Sequence, residues 1–231
     1  MLDAAYWLNY EIGRWTTAVA LTLGWSLRVT GRHNYPKSGP VLIVSNHQSF
    51  VDPPAVGVAY ERHVVFLARK TLFENPGFGP LISSLNALPV DQNGMAKDGL
   101  KAILAKLEAG HPVLVFPEGA RTEEGPMMKM MPGISLLIKR ARCPIVPVGI
   151  SGAYEAWPRW RKLPMPSPLF LPATNRTIAV AIGPPRDAAT VADLPREEML
   201  AVLAADIAAQ MVEAEKVRRK PKIRCRKNEC G

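Results

Sequence analysis

Six short apolar runs, at residues 41–45, 63–68, 87–90, 112–116, 144–149 and 177–182, set the tightest limit on what this chain can fold into. Each has the length of a buried strand and is too short for a core helix. Helical spacing fills the intervals. Leu100, Ile103, Leu104 and Leu107 recur on one helical face and stop at Gly110, and residues 132–141 read as a further helix. Alternation of this kind predicts an α/β fold, a mixed sheet covered by helices, with functional loops at the strand ends.

Two helical segments flank that core. At the C-terminal side, Pro195 to about Val217 is an amphipathic helix with Met199, Leu203, Ile207 and Met211 on one stripe and Glu197 and Glu198 in its first turn. At the N-terminal side, residues 3–30 hold Trp7, Trp15 and Trp25 with Tyr6 and Tyr10. The uncharged run from Trp15 to Leu27 would be about 20 Å long as a helix, short of the roughly 30 Å hydrocarbon core of a bilayer. Asp3 and Glu11 stand where a signal peptide would carry basic residues. Aromatic residues around a short apolar helix suit a membrane interface, and the same pattern suits a helix packed on its own domain. Ala156 to Pro172 carries five prolines with Trp157, Trp160, Arg159, Arg161 and Lys162, which predicts an irregular surface excursion, either suited to lipid headgroups or a plain proline-rich loop.

The net charge of +9 is unevenly placed. Residues 216–231 hold eight Lys or Arg against one Glu, so a polybasic, disordered tail is expected on a nearly neutral body. That distribution argues against a nucleic-acid-binding surface. Cys143, Cys225 and Cys230 form neither a disulfide framework nor a metal-ligand spacing, and they fit a reducing cytoplasmic compartment.

The first apolar run ends in Asn46-His47-Gln48-Ser49-Phe50-Val51-Asp52, followed by Pro53-Pro54. Asp52 is placed to cap a helix and Pro53 to begin it. On a continuous helix His47 and Asp52 would lie about 140° apart, so they can meet only across a turn. There Asp52 can orient the imidazole and leave its other nitrogen as a general base. Backbone N–H groups at the start of the following helix are the expected oxyanion donors. The fourth run leads into Phe116-Pro117-Glu118-Gly119-Ala120-Arg121, a glycine turn carrying one acid and one arginine. No G-x-S-x-G elbow occurs, and Cys143 has no partner base in the sequence, which favours direct attack by an acceptor hydroxyl over an acyl-enzyme.

The two motifs in this order resemble the glycerolipid acyltransferase family, whose hallmarks are N-H-x4-D and F-P-E-G-T-R. Fainter echoes extend the resemblance over about residues 35–185. It implies a membrane-associated O-acyltransferase with His47 and Asp52 catalytic and Asn46, Lys70, Glu118, Gly119 and Arg121 at the substrate. Arg121 and Lys70 would meet an acceptor phosphate, and Glu118 would bind acceptor hydroxyls or brace the Arg121 loop. The acceptor would be a lysophospholipid such as 1-acylglycerol 3-phosphate, and the donor acyl-CoA or acyl carrier protein, with no cofactor and no metal. Partners would be membrane lipids, at the cytoplasmic face of a membrane. The resemblance divides the chain into an interfacial segment (1–34), the acyltransferase domain (35–215) and the tail (216–231).

Two departures bear on the acceptor. Ala120 replaces the family's threonine, and Gln92 stands where an arginine implicated in the acceptor phosphate is usual. Another lysolipid, with an amino-acid or larger headgroup, is the alternative acceptor, and a non-catalytic lipid-binding relative is the alternative class. A metal-dependent hydrolase built on His47, Asp52 and Glu118 would have too few ligands. His33, His63 and His111 have no acidic neighbour at a telling spacing and are expected to be structural or exposed.

Overall fold

The structure, a computed structural model, describes residues 4–90 and 95–220. Gln92, Cys225 and Cys230 lie outside them, as does the tail beyond Lys220. The elements run α1 (Ala4–Trp25), β1 (Arg28–Thr30), β2 (Val41–Ser45), α2 (Asp52–Ala59), β3 (Val65–Arg69), α3 (Lys70–Phe73), α4 (Phe78–Ser84), β4 (Ala87–Val90) and α5 (Met95–Glu108). They continue through β5 (Pro112–Val115), α6 (Gly133–Ala141), β6 (Ile145–Ser151), α7 (Ala153–Ala156), β7 (Ala179–Ile182), α8 (Ala189–Ala192) and α9 (Arg196–Val217).

Seven strands form one sheet in the order β1-β7-β6-β2-β5-β3-β4. All neighbours pair in parallel except β6 with β7, so β1 and β7 run against the other five. This is the mixed α/β sheet the apolar runs predict. Strand β2 lies at its centre, with Val44 opposite Val115 of β5 and Pro147 of β6. Its residues are fully buried and alternate between two cores. Val41 and Ile43 face the side covered by α1, α2 and α4, and Leu42 and Val44 the side covered by α5, α6 and α9. Because β2, β5 and β3 are parallel, their C-terminal ends share one edge, where loops are free to build a site.

Strand β1 had no counterpart among the apolar runs. Its three residues fall within the segment assigned to a membrane-interface helix, yet they pair with β7 from Arg28 opposite Ala179 to Thr30 opposite Ala181. Three residues of mixed polarity carry no usable period. The helix before it, α1, buries Tyr10 and Leu21, and the Tyr10 hydroxyl accepts from the N–H of Val64. Its opposite face leaves Leu8, Ile12, Trp15, Val19 and Leu23 exposed. Among the described residues no helix is long and apolar enough to cross a membrane.

Helix α9 matches the predicted C-terminal helix and buries Met199, Leu203 and Ile207. It crosses β6 at Gly149, where an added Cβ would lie 2.1 Å from the backbone of Gln210 and Met211. Beyond it, the first residues of the expected tail are fastened down. Arg219 donates to the carbonyls of Leu169 (2.9 Å) and Leu171 (2.7 Å), and Arg218 donates to that of Asn175 (3.0 Å). Residues 216–220 therefore belong to the folded body, because guanidinium donors satisfy carbonyls of the neighbouring loop.

Candidate active site

The chain leaves β2 at Ser45, and Asn46 fixes the exit. Its side-chain amide donates to the Ile150 carbonyl (3.0 Å) and accepts from the Ile150 N–H (2.8 Å), bridging β2 and β6 like an extra peptide unit. Asn46 is fully buried. The direct substrate contact expected of it is corrected: with its amide spent on backbone, it positions the residue that follows.

That residue is His47. Its Nδ1 lies 2.8 Å from Asp52 Oδ2, so the pair meets across the turn as the spacing required. The same oxygen accepts from the N–H groups of Gln48 (2.5 Å) and Ser49 (2.6 Å). Asp52 thus fastens its own approach loop and leaves the N–H groups of α2 alone, a correction to the helix-capping role. Phe116 stacks on the imidazole with centroids 4.0 Å apart. Two sides of the ring are thereby set, and Nε2 is left for chemistry.

The start of α2 does not supply the expected oxyanion donors. The Asp52 N–H turns back to Ser49, Pro53 and Pro54 have none, and the Ala55 N–H is spent on Val51. The two prolines that start the helix well remove the groups an oxyanion would need.

Glu118 lies beneath the turn and is 5% exposed. Its two oxygens accept from the N–H groups of His47 and Met128, each at 2.6 Å. The Thr122 N–H returns to the His47 carbonyl at 2.9 Å. Of the two roles implied for Glu118, bracing is the one its contacts fill, since both oxygens are engaged. Burial, and to a smaller degree the Asp52 carboxylate, push its carboxyl up to about 7, against the pull of the two N–H groups. Gly119 makes the turn between the brace and the arginine with φ +72°, and a Cβ there would press on Met131 at 3.0 Å. Ala120 follows, half-buried.

Arg121 lies over the Phe50 ring, Cζ 3.4 Å from its centroid. Its Nη1 is buried with no hydrogen-bond partner. Burial lowers its pKa to about 10, with the charges of Arg159 and Arg69 acting in the same direction. Arg69 ends β3 and Lys70 begins α3, so Lys70 is exposed on the same strand-end edge. Histidine, aspartate, brace and arginine are therefore gathered at one end of the central strands, and Lys70 stands at the end of a neighbouring strand. Gln92 lies outside the described residues.

Two participants were not assigned a role from the sequence. Phe116 is the first letter of the second motif, and its neighbourhood could have marked it as the ring's support. Trp157 could not have been found that way. Its carbonyl accepts from the Ser49 hydroxyl at 2.7 Å and its ring meets Phe50 at 5.1 Å, across 108 residues of sequence. His63 is structural, the first of its two expected alternatives: its Nε2 lies 3.3 Å from Glu11 and its ring stacks on Tyr10. Two cavities, of about 250 and 230 Å³, lie away from the catalytic turn, one lined by His63, Asn86 and Lys106, the other by Arg32, Tyr35 and Glu61. Among the described residues no three His, Cys, Asp or Glu side chains gather as a metal site needs.

Comparison with known proteins bears on the family and the fold. The sequence model of the family described as Acyltransferase matches residues 26–151, more than half of the chain, including both motifs. Among curated relatives, the 1-acyl-sn-glycerol-3-phosphate acyltransferase of Bacillus subtilis is 28% identical over 188 residues, covering 80% of this chain and 86% of that one. The Pseudomonas aeruginosa protein of the same name is 30% identical over 184 residues, 77% of this chain and 64% of its own length. The crystal structure of the 1-acyl-sn-glycerophosphate acyltransferase PlsC from Thermotoga maritima shares the fold, with a TM-score of 0.74 over 94% of this chain and 83% of that one at 24% identity. The chain belongs to the acyltransferase family.

Proposed function

We propose that the chain acylates the free hydroxyl of 1-acyl-sn-glycerol 3-phosphate from a thioester donor, acyl-CoA or acyl carrier protein, with His47 as general base. The observation that carries this reading is the 2.8 Å contact between His47 Nδ1 and a buried Asp52, which leaves Nε2 to receive a proton. As the acceptor oxygen bonds to the thioester carbonyl carbon, its proton passes to Nε2. The carbon–sulfur bond then breaks, and the departing thiolate takes the proton back from the imidazolium. Arg121, with Nη1 buried and unpartnered, is suited to the acceptor phosphate, and Lys70 adds an exposed charge at the same edge. The names of the relatives support this acceptor. Gln92 favours the runner-up, a lysolipid with another headgroup.

The reading includes peripheral attachment to the cytoplasmic face of a membrane. Leu8, Ile12, Trp15, Val19 and Leu23 form an exposed stripe on α1. The Leu169 N–H donates to the Leu23 carbonyl at 2.9 Å, so exposed Leu169, Phe170 and Leu171 continue that surface. Apolar area of this extent next to aromatic side chains suits the headgroup boundary.

The test is acyl transfer by purified His47→Ala and Asp52→Asn proteins against a panel of lysolipids with both donors. His47→Ala should lose roughly 10²–10⁴ in kcat with its circular dichroism unchanged. Asp52→Asn should fall severely as well, because the amide mis-sets the imidazole. Near-normal turnover by His47→Ala would overturn the general-base assignment.

A further inference from the structure

We propose that Arg159 completes the anion-binding site of Arg121 and supplies to the acceptor's phosphomonoester the positive charge missing at Gln92. The inference rests on the acceptor reading above and adds a residue from outside both motifs.

Arg159 belongs to the proline-rich excursion, which is anchored at the catalytic turn. The Ser49 hydroxyl donates to the Trp157 carbonyl, and the Trp157 ring packs on Phe50, whose own face carries the Arg121 guanidinium. Two residues on, Arg159 Nη1 donates to Glu123 Oε1 at 3.0 Å. Glu123 follows Arg121 by two residues and receives further support on its carbonyl from the Tyr154 hydroxyl (2.8 Å). The excursion therefore touches the site at both ends of a short arc and holds Arg159 over the second-motif loop.

Like charges are gathered here. Arg159 and Arg69 both act on Arg121, and of the nearby carboxylates Asp52 alone opposes them. Asp52 Oδ2 holds His47 and two backbone N–H groups, Glu118 holds two more, and the exposed Glu123 holds Arg159. Arg121 keeps a buried guanidinium nitrogen with no partner. Guanidinium groups brought together without enough carboxylate are neutralised by a bound anion, and a phosphate dianion offers enough oxygens for two forks at once. Arg159 is about two-fifths exposed, so it can turn from Glu123 to a ligand.

Two measurements decide it, both on the full chain. In the first, calorimetry follows sn-glycerol 3-phosphate, a soluble phosphomonoester, binding to wild type, Arg159→Gln, Arg159→Lys and Arg121→Gln. Arg159→Gln should weaken binding about tenfold or more, as loss of a charged hydrogen bond does, and Arg159→Lys should recover part of it. In the second, acyl transfer is compared between lysophosphatidate and an uncharged monoacylglycerol. Arg159→Gln should lose at least tenfold more kcat/KM on the first, chiefly through KM. Binding that depends on Arg121 but not on Arg159, or equal losses on both acceptors, would overturn the inference and leave the acceptor reading standing. Arg159-dependent binding by a wild type that does not acylate lysophosphatidate would overturn the acceptor reading and uphold the anion site. Absence of any phosphomonoester binding by wild type would overturn both.

Discussion

Glu118 carries opposed demands in one carboxyl group. Burial favours its neutral form, and two backbone N–H groups favour its charged form, with the balance near 7. An unfolded chain titrates a glutamate at about 4.3, so the folded protein holds this proton more tightly. The stabilisation from that proton is complete below about pH 4.3 and is lost as the pH rises through about 7. Glu118→Gln removes the titration and also points an amide N–H₂ at a backbone donor. Its stability gap from wild type should therefore narrow by about 2–3 kcal/mol between pH 4.5 and 7.5, read by urea unfolding at both values. A gap that widens would place the N–H bonds ahead of burial. The contact between His47 and Asp52 was legible from spacing, because five residues spanning a turn leave them few other ways to pair. The role of Asn46 was not. Nothing in the letters Ser-Asn-His says that the amide is consumed by Ile150, a partner 104 residues away.

Element by element, legibility followed hydrophobic period. Strands β2 to β7 coincide with apolar runs, and α5, α6 and α9 with helical stripes. Failures fell on elements too short to carry a period, β1 above all, and on the N-terminus of α2. There the letters Asp-Pro-Pro name a helix start correctly but not the direction in which the aspartate turns. Tertiary contact also gives one glycine a meaning no local rule supplies. Gly149 sits in the middle of β6, where a glycine normally weakens a strand, and is kept there because the α9 backbone rests on it. Gly149→Ala should force α9 off the sheet and cost about 1–3 kcal/mol or more, measured as a fall in the denaturation midpoint. An unchanged midpoint would mean that α9 can shift by more than 1 Å without loss of packing, against a close-packed interior.

For the whole molecule, the proposed membrane attachment would be divided between charged and apolar side chains. Residues 221–231 hold Lys222, Arg224, Arg226 and Lys227 against Glu229, each basic group worth about 1 kcal/mol at best near an anionic leaflet. Deleting that stretch should weaken flotation with anionic vesicles and flatten its salt dependence, with little effect on neutral ones. Ile12→Ser with Val19→Ser, on the exposed face of α1, should weaken binding to both kinds of vesicle and leave the fold unchanged. Equal binding by all these proteins would remove the membrane assignment. The excursion from Trp157 to Leu171 touches the catalytic turn through Ser49 and the end of α1 through Leu23, and Arg219 pins it from behind. The proposed attachment surface and the His47–Asp52 turn are therefore linked by one stretch of chain. An enzyme held in this way hunts for its acceptor in two dimensions. Its turnover should follow the mole fraction of acceptor within the lipid sheet, so that adding inert lipid at constant total acceptor slows it.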